Sequence, residues 1–278
     1  MTVPAPWGVL EVTRTGPRTL LLRDRRSGWS SFGVPPCGPF DRGAFQAGRA
    51  LVGGGDDTHA FECVLGGLAF RTTVDVPVAV TGAAVRVTID GQVVEASTTV
   101  LRAGAELALG MPPSGLRTYV WVGGGLRGGP TGTLAGFGPA LITPGSTMAI
   151  EEPAAPWQPS AVRRPDQLEV LPGPRLDHLA DPGQLATEWV VSPHSDRVGV
   201  RLDGPPLDRT TSNEVPPEGI VRGAIQAPPG GQLVVFGPDH PTTGGYPVVG
   251  VLTPESVDVL AQRRPGEKVR LRWVRLSG

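Results

Sequence analysis

At 278 residues, with 39% hydrophobic content and two cysteines, the chain has room for one large domain or two smaller ones. Cys37 and Cys63 are far apart with no CxxC spacing, which excludes a disulfide framework and a zinc site of several cysteines. The 25 basic and 26 acidic residues are intermixed and leave a net charge of −1, so there is no electrostatic footprint for nucleic acid and no polybasic membrane patch.

The first residues, MTVPAPWGVLEV, lack a basic start followed by a long apolar run, and no apolar stretch approaches the ~20 residues that span a bilayer. The expectation is a reduced, cytoplasmic, soluble protein. Forty glycines and 31 prolines lie between apolar runs without a repeat period, as turn residues of a β-rich protein do. The first helix signal is Asp41, whose side chain can cap RGAFQAGRALVG, with Ala44, Phe45, Ala47 and Leu51 approximating one apolar face. Three strand runs follow: VPVAVTG, AAVRVTIDGQVVEAS and TTVLRAGAELALG. Within the second, Asp90-Gly91 separates two alternating segments and predicts a hairpin. After YVWV, the run GGGLRG matches the GxGxxG spacing of a dinucleotide fingerprint. That fingerprint needs a helix next, and GPTGTLAGFGP cannot supply one, so the run reads as a glycine-rich loop.

Residues 151–167, EEPAAPWQPSAVRRPDQ, are rich in proline and polar groups and read as a linker. The expected domains are therefore 1–155 and 166–278. In the second, LEVLPG, TEWVVS, GVRLDG, GAIQAP, GQLVVFG, VVGVLT and KVRLRWVRL read as strands, and Pro228-Pro229-Gly230-Gly231 as a connection. TPESVDVLAQRRPG is a second helix, with Thr253 at its N-cap, Pro254 first inside, Glu255 favourable to the dipole, and Pro265-Gly266 ending it. Both halves end on a glycine turn feeding a strand, a faint hint of two related barrels.

The polar residues that can carry chemistry gather in the second half. Ser195, Asp196 and Arg197 stand in a row. An Arg fork there can take a carboxylate or phosphate, while a turn with a solvated Arg explains the same residues. Gln226 falls at a strand end beside Glu218 and Arg222. PDHPTTGGYP, residues 238–247, offers Asp239 or His240 as general base and hydroxyls from Thr242 and Thr243. Gly244 and Gly245 offer backbone N–H groups that can form an anion nest; a hairpin turn under Tyr246 is the alternative. The four histidines include no HxH or HExxH pair, so no metal site is expected, and no GxSxG marks a nucleophile elbow. Lys268 is the only lysine, so a Walker-type phosphate loop is absent and a Schiff base would rest on that residue alone.

Four stretches carry a resemblance: GVPPCGPFDRGAFQAGRALVG, VSPHSDRVGVRLDGPPL, EGIVRGAIQAPPGGQLVV and PDHPTTGGYP. In this order they resemble the biotin-dependent carboxyltransferase-related family. Its members include allophanate-hydrolase subunit 2-like proteins, the C subunit of 5-oxoprolinase and the carboxyltransferase region of urea carboxylase. The resemblance implies a mainly β chain of two cyclophilin-like β-barrel domains with a few short helices and a ligand cleft between them. It implies substrate contacts from Asp41, Ser195, Gln226, Thr242, Thr243, Gly244, Gly245 and Tyr246, and catalytic roles for Asp196, Arg197 and Asp239. Arg197 is expected on a substrate carboxylate, Asp239 in proton transfer, and the Thr-Gly-Gly backbone on an oxyanion.

The resemblance also implies partners: a kinase-inhibitor-like subunit of the allophanate hydrolase subunit 1 type, and a lactam-utilisation-type subunit. The implied function is an ATP-dependent amide or lactam hydrolase of the 5-oxoprolinase type, with ATP on this chain or a partner. Alternatives are a carboxyltransferase using carboxybiotin supplied in trans and a non-catalytic regulatory subunit. This chain departs from the family pattern at three places. LRDRRSGW has Arg23 where relatives have Gln, GGLRGGPTGTLAGFGP lacks a GSRST loop, and Val248 stands where many relatives place Lys.

Overall fold

The computed structural model describes residues 6–24, 33, 36–95, 97–129, 139–211 and 215–274. These fall into two compact units: residues up to 24 with those from 41 to 162, and residues 33–40 with those from 163 onward. The division at 162/163 lies inside the proline-rich stretch, where no strand or helix forms. The departures in LRDRRSGW and in the loop after GGGLRG lie largely outside the described residues.

The first unit has two antiparallel sheets. One runs, in spatial order, Leu126–Arg127, Thr147–Ile150, Gly8–Arg14, Ala69–Thr72, Glu106–Leu109, Val87–Ile89 and Gln92–Val94. The other runs Ala140–Leu141, Arg18–Leu22, Ala60–Val64, Arg117–Val122, Val76–Gly82 and Thr98–Leu101. Arg117–Val122 is buried along its whole length because both of its faces are covered. Val120 and Val122 point into a core with Leu10, Phe61, Phe70 and Leu107. The alternate residues Tyr119 and Trp121 face a second core, with Phe45 of helix α1, Arg42–Val52.

Asp41 caps α1 as expected, its carboxylate accepting from Ala44 N–H at 3.0 Å, and Gly53 closes the other end at φ 64°. The buried face differs from the sequence reading: Ala44, Phe45, Gly48, Ala50 and Val52 are inside, and Ala47 and Leu51 are half-buried. The cause is close packing at Gly48, where a Cβ would sit 2.7 Å from the Trp121 ring. The Asp90-Gly91 hairpin also forms, joining Val87–Ile89 to Gln92–Val94 with φ of 47° and 80° at the turn, as a type I′ turn requires.

In the second unit seven strands close into a barrel. The order is Leu168–Pro172, Val248–Leu252, Ala224–Gln226, Leu233–Phe236, Gly199–Asp203, Glu188–Val191 and Lys268–Trp273, with the last pairing parallel to the first. Closure leaves no unpaired edge. Helix α2, Pro254–Leu260, is capped by Thr253 and lies against the barrel. The chain is therefore mainly β with few short helices, as expected. The barrel core holds Trp189, Ile225, Leu233, Val249 and Leu271, and also Phe40, which is fully buried although the next residue, Asp41, caps α1 of the first unit. Burying one such ring contributes roughly 1.5–3 kcal/mol. Among the described residues no helix is long and apolar enough to cross a membrane.

Candidate functional site

Strands Gly199–Asp203 and Leu233–Phe236 pair with Gly199 opposite Phe236, so the residues just before the first and just after the second meet at one end of the barrel. Arg197 and Asp239 are those residues. Arg197 Nε donates to one carboxylate oxygen at 2.7 Å and Nη2 to the other at 3.0 Å, a bidentate pair. Nη2 also donates to Gly38 O at 2.6 Å, and the Asp239 amide donates to Arg197 O at 3.2 Å. Arg197 is 4% exposed, and the Asp239 side chain retains 21% exposure. The close approach depends on Gly237, where a Cβ would lie 2.4 Å from Arg197 O and 2.8 Å from the Phe40 ring.

Ser195 and Asp196 build the turn that delivers Arg197. Ser195 Oγ donates to Ser192 O at 2.8 Å and accepts from Arg201 N–H at 3.0 Å. Asp196 Oδ1 accepts from Val198 and Gly199 N–H at 2.8 and 3.0 Å, a local Asx arrangement. Asp196 is exposed and its carboxylate serves the backbone.

From Asp239 the chain runs along the outer face of the barrel as far as Pro247, covering a small cluster of Ile220, Ala224, Phe236 and Val248. Thr243–Gly244 pairs with Glu218–Gly219 as a two-stranded ribbon. Further bonds fix the loop: Ile220 N–H to Thr242 O at 3.0 Å and Val215 N–H to Gly245 O at 3.2 Å. Neither Gly244 nor Gly245 adopts a left-handed φ, so the pair does not form the αR–αL nest considered from the sequence. Gly244 has another reason to lack a side chain: a Cβ would lie 2.7 Å from Gln226 Nε2 and 3.2 Å from Ile220 Cδ1.

Gln226 shares the outward face of its strand with Ala224 and is 4% exposed. Its Nε2 donates to Tyr246 O at 2.9 Å, and among the described residues its Oε1 has no hydrogen-bond partner. Tyr246 itself is 38% exposed and Thr243 is exposed. His240 is buried, its Nδ1 2.8 Å from Pro241 O and its ring edge-on to Phe236.

The sequence-predicted residues thus fall into two groups along one loop. Arg197 and Asp239 close one end, while Gln226 meets Gly244 and Tyr246 further along. Asp41 belongs to the first unit. Besides capping α1, its amide donates to Tyr119 OH at 2.8 Å, and that hydroxyl donates to Glu62 at 2.7 Å. Glu62 is buried with Arg117 Nε 3.7 Å away. Burial, with Glu62 nearby, pushes the Tyr119 phenol well above its usual value.

Arg175 carried no local signal, whereas Arg222 was visible in the sequence beside Glu218 and Gln226. Arg175 holds Glu218 through Nε at 2.8 Å and through Nη2, clamping the ribbon beside Thr243–Gly244. The hydrogen bond from Arg175 holds the Glu218 carboxyl below its usual range. Arg222 donates through Nη2 to Phe40 O at 2.7 Å and to Asp258 at 2.6 Å. Among the described residues no three His, Cys, Asp or Glu side chains gather as a metal site would require.

Set beside known proteins, residues 32–273 match the family described as carboxyltransferase domain, subdomain A and B. The chain is 29% identical to the C subunit of Escherichia coli 5-oxoprolinase over 278 residues, covering 94% of this chain and 90% of that protein. It is 30% identical to the C subunit of Haemophilus influenzae 5-oxoprolinase, covering 91% and 87%. The crystal structure of K. lactis urea amidolyase shares the fold with a TM-score of 0.85 at 23% identity, covering 97% of this chain and 19% of that one.

Proposed function

Because the chain belongs to the carboxyltransferase domain A and B family, we propose that it is one subunit of an amide- or lactam-opening enzyme of the 5-oxoprolinase type. The observation that carries this reading is the match with the C subunit of Escherichia coli 5-oxoprolinase over most of both chains, 94% of this chain against 90% of the relative. A relative that is itself a subunit implies partners. We assign these to a kinase-inhibitor-like subunit and a lactam-utilisation-type subunit, assembled in the cytoplasm.

In this proposal the second unit receives the amide. Gln226 is buried with Nε2 committed to Tyr246 O, so its Oε1 is the acceptor for an amide or lactam N–H. Asp239 accepts a proton during ring opening through carboxylate lone pairs that Arg197 leaves unused. The Arg197 fork is already filled by Asp239 and Gly38 O, so its role is to position Asp239, and the substrate carboxylate binds elsewhere. Thr242, Thr243 and Tyr246 line the approach along the loop.

ATP does not fit the glycine-rich run of this chain. Gly123–Gly125 leads into the short strand Leu126–Arg127 instead of a helix N-terminus, and Arg127 is paired with Glu151 at 2.8 Å. Nucleotide binding is therefore assigned to a partner. Co-expression with the partner subunits should give 5-oxoproline-dependent ATP hydrolysis, and Asp239→Asn should abolish it while the complex still forms. A verified complex without turnover overturns the proposal.

The family description favours a second reading, carboxyl transfer from carboxybiotin. Lys268, the only lysine, lies on a barrel strand paired with Glu188 at 2.8 Å, so biotin would arrive on another protein. Transfer of carboxylate from a carboxylated carrier to a urea-like acceptor is the outcome that would select this reading.

A further inference from the structure

A cavity of about 300 Å³ opens in the first unit where strand Val76–Gly82 passes the Asp90-Gly91 hairpin. It adjoins the outer strands of both sheets, Gln92–Val94 and Thr98–Leu101, which have no further neighbour among the described residues. Val80, Val87 and Val94 supply its apolar lining, and Thr81, Glu95 and Ser97 its polar groups. The Thr81 hydroxyl donates to Ala44 O at 2.7 Å and so is committed to helix α1. Among the described residues Glu95 is the one charged residue of the lining; it is exposed at the cavity mouth, and its carboxylate has no ion-pair or hydrogen-bond partner there.

These features select a ligand class. Among the described residues no basic side chain lines the space, which disfavours anions. A single carboxylate falls short of the six or more oxygens that a hard divalent cation requires. The volume is at the lower end of small-molecule sites, and such sites pair an apolar wall with a few placed polar groups. We propose that this cavity binds a short aliphatic cation, an alkyl chain of about four carbons ending in an ammonium that pairs with Glu95. The site is independent of the amide site assigned above, which lies wholly in the second unit.

The chemistry can come from a free amine or from a lysine side chain of an extended peptide lying along the outer strands. The test titrates the full chain, ¹³C-labelled at valine methyls, with n-butylammonium, n-butanol, butyrate, and a capped Ala-Val-Lys-Val-Ala peptide. Butylammonium is expected to shift the Val87 and Val94 methyls with a Kd of roughly 1 mM, ahead of butanol and butyrate. Glu95→Gln should weaken it about fivefold. Ala84→Phe, at an exposed lining position, should block it while leaving the thermal midpoint unchanged. Binding of the peptide without the free amine also supports the site and identifies the cation as a side chain. Equal binding of butanol and butylammonium, no effect of Glu95→Gln, or no shift with any probe at roughly ten times that concentration overturns it.

Discussion

Arg197 and Asp239 are 42 positions apart and meet in a two-point contact, guanidinium edge against carboxylate edge, with one partner almost fully enclosed. An enclosed guanidinium left without its carboxylate keeps its desolvation cost and loses its compensation, so each single replacement should be worse than the pair removed together. Urea unfolding of Arg197→Ala, Asp239→Ala and the double variant should return a coupling of about 2 kcal/mol. Strictly additive losses would show that the contact contributes nothing of its own.

Gly244 and Gly245 are adjacent and neither has a left-handed φ, yet they should respond differently to alanine. At Gly244 the new methyl meets Gln226 at 2.7 Å, while at Gly245 the nearest atom is Val215 O at 3.7 Å. Overpacking of this kind costs roughly 1–3 kcal/mol, so Gly244→Ala should lower the thermal midpoint by several degrees. Gly245→Ala should leave it within about one degree. Equal effects would contradict the crowding at Gln226.

Cys63 is fully enclosed between strands, and burial pushes its thiol from 9.0 up to about 12. A raised value means that the folded state holds its proton more tightly. The stabilisation is complete below pH 9 and is lost as pH rises from there through about 12. Within that window the unfolded thiol has ionised and the folded one has not, a difference of about 1.4 kcal/mol per pH unit. Stability measured at pH 8 and again at pH 10.5 should fall more steeply for the wild type than for Cys63→Ala. Parallel losses would remove Cys63 as the source.

Glu218 works in the opposite direction. Arg175 holds its carboxyl below the usual range, so the stabilisation is present above the unfolded-state value and disappears as pH falls through the folded one. The reporter is local: amide exchange at Thr243 and Gly244, the strand paired with Glu218–Gly219. Glu218→Gln should speed that exchange at neutral pH and make no difference in strong acid. A difference that persists at low pH would point to shape instead of charge.

Much of the fold could be read from short-range chemistry. The caps at Asp41 and Thr253, the Asp90-Gly91 turn and the Pro-Pro-Gly-Gly connection each depend on a few neighbouring residues, and each forms. The site was legible as a set of positions and far less so as an arrangement. For Asp196 the local sequence offered a turn and the family resemblance a catalytic role; its carboxylate accepts from the N–H groups two and three residues on, as the turn reading has it. Arg197 looked available for a ligand, but its partner is set by Gly199 facing Phe236, a register that no local pattern encodes. Arg175 gave no signal, since its contact with Glu218 spans 43 positions and an irregular loop.

Phe40 and Asp41 share a peptide bond and serve different cores, the ring filling the barrel and the carboxylate starting a helix of the other unit. A gene cut at the proline-rich stretch would therefore encode seven barrel strands without the aromatic side chain that fills them. It would also lack the carbonyls of Gly38 and Phe40 that receive Arg197 and Arg222. Residues 36–40 form a strap that the barrel borrows from upstream sequence. A chimera exchanging the second half with a relative has to bring its own strap, or inherit one shaped for another ring and another glycine opposite it.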